Sequence, residues 1–249
     1  MWIGSPLRGA FRLLSYLLLT LAVLPFHLAA LALRLTPVVR WLPVAYHRMV
    51  CIILGIKVKV NGRRSTAMPT LFVCNHVSYL DIEVLGSSIP GCFVAKAEVA
   101  TWPFFSTLAK AQRTIFVDRR SSKTSNSRDE MLKRLDTGDN LMLFPEGTSS
   151  DGTRVLPFRS ALFAVAQLRR DDRPIVVQPV AISYTRLDGI PLGRYWRPLF
   201  AWFGDLDLVP HLWQMVCLGE TEAVVTFFPP VDIDRLGDRK KLAEYCFLQ

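Results

Sequence analysis

The chain has 249 residues, of which 51% are hydrophobic and 20% are charged, and this composition excludes disordered, collagen-like and coiled-coil proteins. A formal net charge of +9 indicates an anionic partner, which is nucleic acid, an anionic membrane surface or a phosphorylated substrate. The mean hydropathy of +0.26 favours the membrane.

Residues 13–33 form an uncharged segment of 21 residues that contains ten leucines. Arg8 and Arg12 precede it and Arg34 follows it, which is typical of a membrane-embedded helix. Two alternatives stay open: a signal peptide cleaved after the small residues at 30–32, and a buried core helix. A second apolar stretch, residues 41–56, contains basic and aromatic side chains that suit the membrane interface.

From residue 56 onward, short β-rich segments alternate with helical patterns. The predicted strands cover residues 56–60, 70–74, 92–95, 114–117, 140–144, 175–183 and 223–228. The predicted helices cover residues 79–86, 102–109, 128–135, 161–168, 211–218 and 239–247, with a polar loop at 121–127. This order predicts an α/β fold with a largely parallel central sheet flanked by helices.

The domain organisation follows from this change of pattern. We expect N-terminal apolar helices over residues 1–56 that anchor the chain to a membrane, and an α/β domain over residues 57–249. The last residue, Gln249, falls inside a helical pattern, so we expect the natural chain to continue. The five cysteines are odd in number and include no C-x-x-C pair, which favours a reducing compartment over a disulfide framework or a zinc site.

The first motif that carries chemistry is Asn75-His76-Val77-Ser78-Tyr79-Leu80-Asp81, directly after a predicted strand. His76 and Asp81 meet only if His76 lies in the turn and Asp81 in the first helical turn, because a spacing of five places them apart on one helix. Asp81 would then fix the tautomer of His76 and leave its other nitrogen as a general base. The alternative is a capping box, with Ser78 as the N-cap residue.

Three more segments have the character of a ligand site. Phe144-Pro145-Glu146-Gly147-Thr148-Ser149 follows a strand and resembles a turn that receives an anion. The strand at 114–117 leads to Arg119, and Pro179 lies inside the apolar run 175–182, which predicts a bulge, an edge position or a free backbone site. Carboxyl ends of parallel strands are where α/β sheets bind ligands.

Together, these segments resemble the four sequence blocks of the glycerolipid acyltransferase family, which contains the lysophosphatidic acid acyltransferases. N-H-x-S-x-x-D is matched by residues 75–81 and F-P-E-G-T-S by residues 144–149, and the resemblance extends from about residue 70 to residue 182. Two departures concern the acceptor side: Arg113 stands where the family usually has Gly, and the segment after residue 157 lacks a family Gly.

The resemblance implies acyl transfer from acyl-CoA or acyl-carrier protein to the free hydroxyl of a lysophospholipid, with no metal and no cofactor. It implies that His76 and Asp81 are catalytic, and that Arg119 with the turn at Gly147 and Thr148 holds the acceptor phosphate. Glu146 repels phosphate and would orient Arg119 or its loop. The full set of expected substrate-binding residues is Asn75, Ser78, Arg119, Glu146, Gly147, Thr148, Ser149 and Pro179.

Lysophosphatidic acid is the expected acceptor, and a lyso-aminolipid such as lyso-ornithine lipid is the alternative. We expect a membrane protein with its catalytic domain on the cytoplasmic face and no nucleic-acid partner. The sequence has no G-x-S-x-G and no P-loop, which argues against a serine hydrolase and a nucleotide enzyme. A non-enzymatic protein that binds anionic lipid explains the charge but not the motifs.

Overall fold

The computed structural model describes residues 4–117, 124–170 and 172–249 of the chain. It begins with two long helices, α1 (Pro6–Ala32) and α2 (Thr36–Leu54). Both are long and apolar enough to cross a membrane, and only 17% and 22% of their most apolar segments are buried. A core helix of a soluble protein would be mostly buried, so these exposed apolar surfaces indicate membrane association.

The remaining helices and strands alternate as the sequence predicts. The strands are β1 (Ile56–Gly62), β2 (Thr70–Cys74), β3 (Cys92–Lys96), β4 (Ile115–Val117), β5 (Leu141–Leu143), β6 (Arg169–Arg170), β7 (Arg173–Pro174), β8 (Val176–Leu187), β9 (Ile190–Pro191) and β10 (Thr221–Phe227). The helices are α3 (Leu80–Gly86), α4 (Phe105–Ala111), α5 (Thr124–Asp136), α6 (Leu208–Cys217), α7 (Ile233–Leu236) and α8 (Arg239–Leu248). Segments of 3₁₀ helix cover Ala97–Thr101, Ser160–Gln167 and Arg194–Leu199.

The main sheet has the strand order β1-β10-β8-β2-β5-β3-β4, with β9 paired to β8. Neighbouring strands from β8 to β4 are parallel, whereas β10 runs antiparallel to β8 and parallel to β1. The mixed α/β fold with a mostly parallel sheet is therefore confirmed. The segments that follow β2 and β5 emerge at the same edge of the sheet, which brings the two principal motifs together.

Helices cover both faces of the sheet. On one face, α2, α3 and α6 pack against a core that includes Phe72, Phe93 and Phe200. On the other face, α5, the 3₁₀ segment at 160–167, α7 and α8 pack against a second core that includes Phe163. Strands buried on both faces are largely apolar, and in β2 (Thr70–Cys74) every residue after Thr70 is apolar and buried.

The first helix is docked on the α/β domain by a buried arginine. The guanidinium of Arg12 donates to the carbonyl oxygens of Val216 and Leu218 at 3.2 and 2.7 Å, just at and beyond the end of α6. Carbonyl groups at a helix C-terminus lack intrahelical partners and attract a cation. Helix α1 is consequently part of the folded unit, and the arginine that precedes the apolar segment holds it there.

Three local predictions differ from the structure. Helix α5 begins at Thr124, inside the stretch predicted as a polar loop. Residues 160–167 form a 3₁₀ segment instead of an α-helix, and β8 extends four residues beyond its predicted end. Residues 41–56 lie within or directly after α2, which has Pro43 inside it, and their place at the membrane interface stays a prediction.

Pro179 lies in the middle of β8, between β2 and β10, so the predicted edge position is wrong. The register irregularity of this strand pair lies elsewhere, between Glu222 and Ala223. The carbonyl of Pro179 accepts from the Phe228 N–H at 3.1 Å, but proline has no N–H that could donate to the Phe228 carbonyl. The side-chain amide of Gln178 donates to the Phe228 carbonyl at 2.8 Å instead, so this oxygen has a partner inside the sheet.

A glycine on α3 makes room for a histidine of α2. A Cβ at Gly86 would lie 2.5 Å from Cδ2 of His47. His47 is buried and bridges two other elements, with Nδ1 2.7 Å from Glu83 Oε2 and Nε2 2.7 Å from Gln112 Oε1. We expect Gly86→Ala to lower the free energy of unfolding by about 1–3 kcal/mol, because the ring must move and the bridge weakens.

Chemical denaturation in detergent micelles measures this effect. Gly193→Ala is the matched control, because Gly193 has a φ of −64° and no heavy atom within 4 Å of a built Cβ. Equal stability of the two variants would show that His47 relocates without cost.

Candidate active site

His76 and Asp81 are in contact at the carboxyl edge of the sheet. His76 follows β2 in the turn, Asp81 lies in the first turn of α3, and Nδ1 of His76 is 2.8 Å from Oδ2 of Asp81. The His76 side chain is 22% exposed and the Asp81 side chain is fully buried. The five-residue spacing of His76 and Asp81 requires one residue in the turn and the other in the first helical turn, and the structure has this arrangement.

The carboxylate of Asp81 is surrounded by donors. Its Oδ2 also accepts from the backbone N–H groups of Val77 and Ser78, at 2.7 and 3.0 Å, and its Oδ1 accepts from the hydroxyl of Tyr184 at 2.9 Å. Four donors stabilise the ionised form of a buried carboxylate. An ionised Asp81 requires a proton on Nδ1 of His76, so Nε2 of the neutral imidazole is left as a base.

The loop after β5 fixes the backbone and the ring of His76. Glu146 accepts from the His76 N–H at 2.6 Å and from the Leu156 N–H at 2.7 Å, and the Ser150 N–H donates to the His76 carbonyl at 2.8 Å. The Phe144 ring stacks on the imidazole, with 4.2 Å between ring centroids. Residues 144–150 therefore hold His76 through its N–H, its carbonyl group and its ring.

Glu146 is only 2% exposed and has no compensating cation among its hydrogen-bond partners in the described residues. Burial raises the pKa of Glu146 to about 7, against the opposing effect of its two backbone N–H donors. The prediction that Glu146 orients its own loop agrees with these contacts.

A cavity of about 510 Å³ opens beside His76. Its walls are mostly apolar and come from α1, α2, α4, the 3₁₀ turn at 97–101 and the start of α6; they include Tyr16, Val23, Leu24, Leu42, Val99, Trp102, Phe105, Leu108, Leu208 and Leu212. The volume lies in the range of sites that bury small molecules, which is about 300–1,000 Å³. The membrane-associated helices thus form one wall of the space into which His76 faces.

The other predicted site residues divide into two groups. Gly147, Thr148 and Ser149 line the cavity beside His76. Gly147 has a φ of +76°, which favours glycine, and its N–H donates to the Phe144 carbonyl at 3.2 Å to close the turn. The Ser149 hydroxyl donates to the carbonyl oxygen of Trp202, so it also holds the loop.

Asn75, Ser78 and Pro179 do not line the cavity, and their contact with substrate stays a prediction. The Asn75 amide accepts from the Ile182 N–H at 2.7 Å and donates to the Ile182 carbonyl at 3.0 Å, so it joins β2 to β8. Ser78 is fully buried, and its hydroxyl neither caps α3 nor contacts any polar group among the described residues. In place of the hydroxyl, the Ser78 N–H bonds to Asp81.

Arg119 lies outside the described residues. Arg113, the departure from the family pattern, has a φ of +59°, the conformation that a glycine adopts easily. Its guanidinium bonds to both carboxylate oxygens of Asp139 at 2.7 and 3.2 Å. Arg113 is therefore engaged in an ion pair with Asp139.

Sequence reasoning missed Tyr184 and Trp202. The Tyr184 hydroxyl donates to Asp81, 103 positions earlier in the sequence. The carbonyl oxygen of Trp202 accepts from the Ser149 hydroxyl, and the backbone N–H of Trp202 donates to the Val77 carbonyl at 3.0 Å. Neither belongs to a local motif, and their contacts arise only from strand order. Within the described residues, no three His, Cys, Asp or Glu side chains are grouped to hold a metal ion.

An imidazole base that borders a large apolar cavity is suited to a transfer enzyme that acts on lipids, and comparison with known proteins identifies the family. The sequence model of the Acyltransferase family matches residues 56–183, and the chain belongs to this family. It is an acyltransferase of the group that contains the lysophosphatidic acid and lyso-ornithine lipid acyltransferases. The predicted family and the predicted O-acyltransferase class are confirmed.

Individual relatives show the extent of the similarity. A lyso-ornithine lipid O-acyltransferase of Rhizobium meliloti is 42% identical over 97% of this chain and 82% of that protein. A 1-acyl-sn-glycerol-3-phosphate acyltransferase of Neisseria gonorrhoeae is 31% identical over 77% of this chain and 71% of that protein. The crystal structure of the LPA acyltransferase PlsC from Thermotoga maritima has a TM-score of 0.59, with 20% identity, and covers 94% of this chain and 92% of that one, which establishes the shared fold.

The raised pKa of Glu146 predicts a pH dependence of stability. The ordinary pKa is 4.5 and the folded value is about 7, so the folded state holds one more proton between these values. We expect the free energy of unfolding to fall as pH rises from 5 to 7, by up to roughly 1 kcal/mol per pH unit. Glu146→Gln removes this titration and should flatten the profile.

Denaturant titrations at several pH values measure the slope. Glu220→Gln, at a half-exposed carboxylate, is the control and should retain the wild-type slope. A wild-type slope that survives in Glu146→Gln would assign the pH dependence to another group.

Proposed function

We propose that this acyltransferase moves a fatty acyl group from a thioester donor, acyl-CoA or acyl-carrier protein, to the hydroxyl of a lyso-ornithine lipid. The observation that carries the choice of acceptor is the 42% identity, over 97% of the chain, to the lyso-ornithine lipid O-acyltransferase of Rhizobium meliloti. Relatives from Brucella abortus and Rhodobacter capsulatus with the same printed activity are 42% and 36% identical. These similarities favour lyso-ornithine lipid, which the sequence analysis gave as the alternative to lysophosphatidic acid.

The geometry around His76 supports the chemistry. In the proposed mechanism, Nε2 of His76 takes the proton of the acceptor hydroxyl while its oxygen attacks the thioester carbonyl. Asp81 stabilises the imidazolium through Nδ1, and general-base catalysis of this kind contributes about 10²–10⁴ in rate. The tetrahedral intermediate then forms the ester and breaks the carbon–sulfur bond, and the imidazolium returns its proton to the thiolate.

The apolar cavity is the proposed site of the acyl chain. It adjoins His76, Phe144 and the turn at Gly147, so a chain bound there places its thioester beside the base. Removal of apolar chain surface from water supplies about 25 cal/mol per Å² of binding free energy. Residues 1–56 would then both anchor the protein and complete the acyl site, while residues 57–249 carry the reacting groups.

We also propose that the catalytic domain lies on the cytoplasmic face. Cys51, Cys74, Cys92, Cys217 and Cys246 are all unpaired and buried, which is typical of a reducing compartment. Thioester donors of the proposed kind must reach His76 from the same side.

The dyad gives the first test of the mechanism. His76→Ala should lower kcat by at least about 10²-fold and leave folding intact, because the ring is partly exposed and three donors to Asp81 remain. Asp81→Asn should lower kcat strongly, since an amide presents the wrong partner to Nδ1. Tyr184→Phe, which removes one donor of four, should lower kcat less than Asp81→Asn.

Thiol release from acyl-CoA with lyso-ornithine lipid as acceptor measures kcat, and thermal unfolding monitors the fold. Tyr245→Phe on α8, which packs on the opposite face of the sheet, is the matched control for Tyr184→Phe. Activity of His76→Ala near the wild-type value would end the proposed mechanism.

Lysophosphatidic acid is the second candidate acceptor, supported by the 31% identity to the Neisseria gonorrhoeae enzyme. The resemblance assigns its phosphate to Arg119. If this assignment holds, Arg119→Ala should lower kcat/KM for lysophosphatidic acid by a factor that corresponds to about 2–4 kcal/mol. Arg119→Lys should lower kcat/KM less, because lysine keeps the charge but cannot form the two-pronged contact. A zwitterionic lyso-ornithine lipid has no phosphate, so its KM should change little.

Steady-state kinetics on both acceptors decide between them. Arg173→Ala is the matched control, because Arg173 is exposed and precedes β8 at the opposite edge of the sheet. Faster turnover of lysophosphatidic acid than of lyso-ornithine lipid by the wild-type protein would reverse the proposed acceptor.

A further inference from the structure

Two large aromatic side chains are exposed together outside the cavity. Tyr195 is 85% exposed and Trp196 is 48% exposed, and both lie in the 3₁₀ segment Arg194–Leu199. Arg194 and Arg197 flank them and are also exposed. Grouped aromatic residues on a folded surface mark an interaction site, whereas a single exposed apolar residue does not.

This segment lies beside the catalytic turn. A Cβ at Gly152 would lie 3.4 Å from the Arg197 carbonyl oxygen and 3.2 Å from Val77 Cγ1, so the two segments flank the same glycine. Trp202, which follows the segment, contacts both loops of the site through Val77 and Ser149. Whatever binds Tyr195 and Trp196 is therefore close to the place where His76 acts.

The surface around these residues leads toward the membrane-associated helices. Leu199 and Phe200 pack into the same core as Cys51 of α2, on the same face of the sheet. Further along the chain, Leu206 and Val209 are exposed, while Leu208 lines the cavity together with residues of α1. Exposed apolar side chains therefore occur both at the aromatic pair and at the start of α6, which also borders the cavity.

We infer that residues 194–209 form a second membrane contact at the active site, separate from α1 and α2. Tyr195 and Trp196 would enter the headgroup region, where amphipathic rings are favoured, and Arg194 and Arg197 would pair with anionic headgroups. The exposed Asp205 and Asp207 of the same stretch would remain in water. This contact would keep the catalytic turn at the depth of the acceptor hydroxyl, and to that extent it rests on the proposed lipid acceptor.

A fluorescent label tests the contact directly. All five native cysteines are buried, so Tyr195→Cys can be labelled selectively with an environment-sensitive dye such as NBD. Leu248→Cys is the matched control, because Leu248 is exposed on α8 at the opposite face of the sheet. In phosphatidylcholine vesicles we expect a blue shift and quenching by brominated lipid at position 195 but not at 248, with a larger effect when phosphatidylglycerol is added.

Two results would overturn the inference. One is a label at 195 that is as accessible to aqueous iodide as the label at 248. The other is a blue shift that requires acyl-carrier protein instead of lipid, which would make this surface a protein-binding site. Neither readout depends on turnover, so a wrong choice of acceptor leaves the test intact.

A functional measurement supports the spectroscopic one. The double variant Tyr195→Ser/Trp196→Ser should lower kcat/KM for acceptor in vesicles by about tenfold, and clearly more than for acceptor in detergent micelles. Equal losses in the two phases would indicate a structural defect and would contradict a membrane role.

Discussion

The buried carboxylate of Asp81 is the constraint on which the site depends. A charge with no exposure to water is tolerated only when donors surround it, and Asp81 has four: two backbone N–H groups, one imidazole and one phenol. These donors come from the catalytic turn and from β8, so the same contacts that satisfy the charge close the turn, start α3 and orient His76. The orientation and the tautomer of the imidazole are thereby set by the packing of the domain.

Around this centre, the residues of the two motifs divide between chemistry and support of the fold. Glu146 and Phe144 hold His76 by its backbone and its ring, and Asn75 ties β2 to β8. The side chains of Glu146 and Asn75 bond to neighbouring backbone groups, and neither residue lines the cavity. The cavity beside the imidazole is lined by Phe144 and by the small residues of the turn, Gly147 to Ser149.

The two apolar helices are both the membrane-associated part and a wall of the cavity. Arg12 fixes α1 to the carbonyl groups at the end of α6, and His47 joins α2 to α3 and to the end of α4. The apolar helices and the cavity are therefore connected by specific contacts. Under the proposed function, a lipid substrate would pass from the bilayer to His76 along apolar surfaces without crossing water.

The sequence by itself determined the α/β class, the apolar helices, the acyltransferase family and the His76–Asp81 pair, because hydrophobic periodicity and short motifs act over a few residues. The tertiary structure alone decided what lies far apart in the chain: the bond from Tyr184 to Asp81, the place of Trp202 between two loops, and the central position of Pro179. Strand order sets these contacts, and no local pattern encodes it. For the same reason no local pattern shows that the Asn75 amide bonds to Ile182 of β8, a contact that only the packed sheet provides.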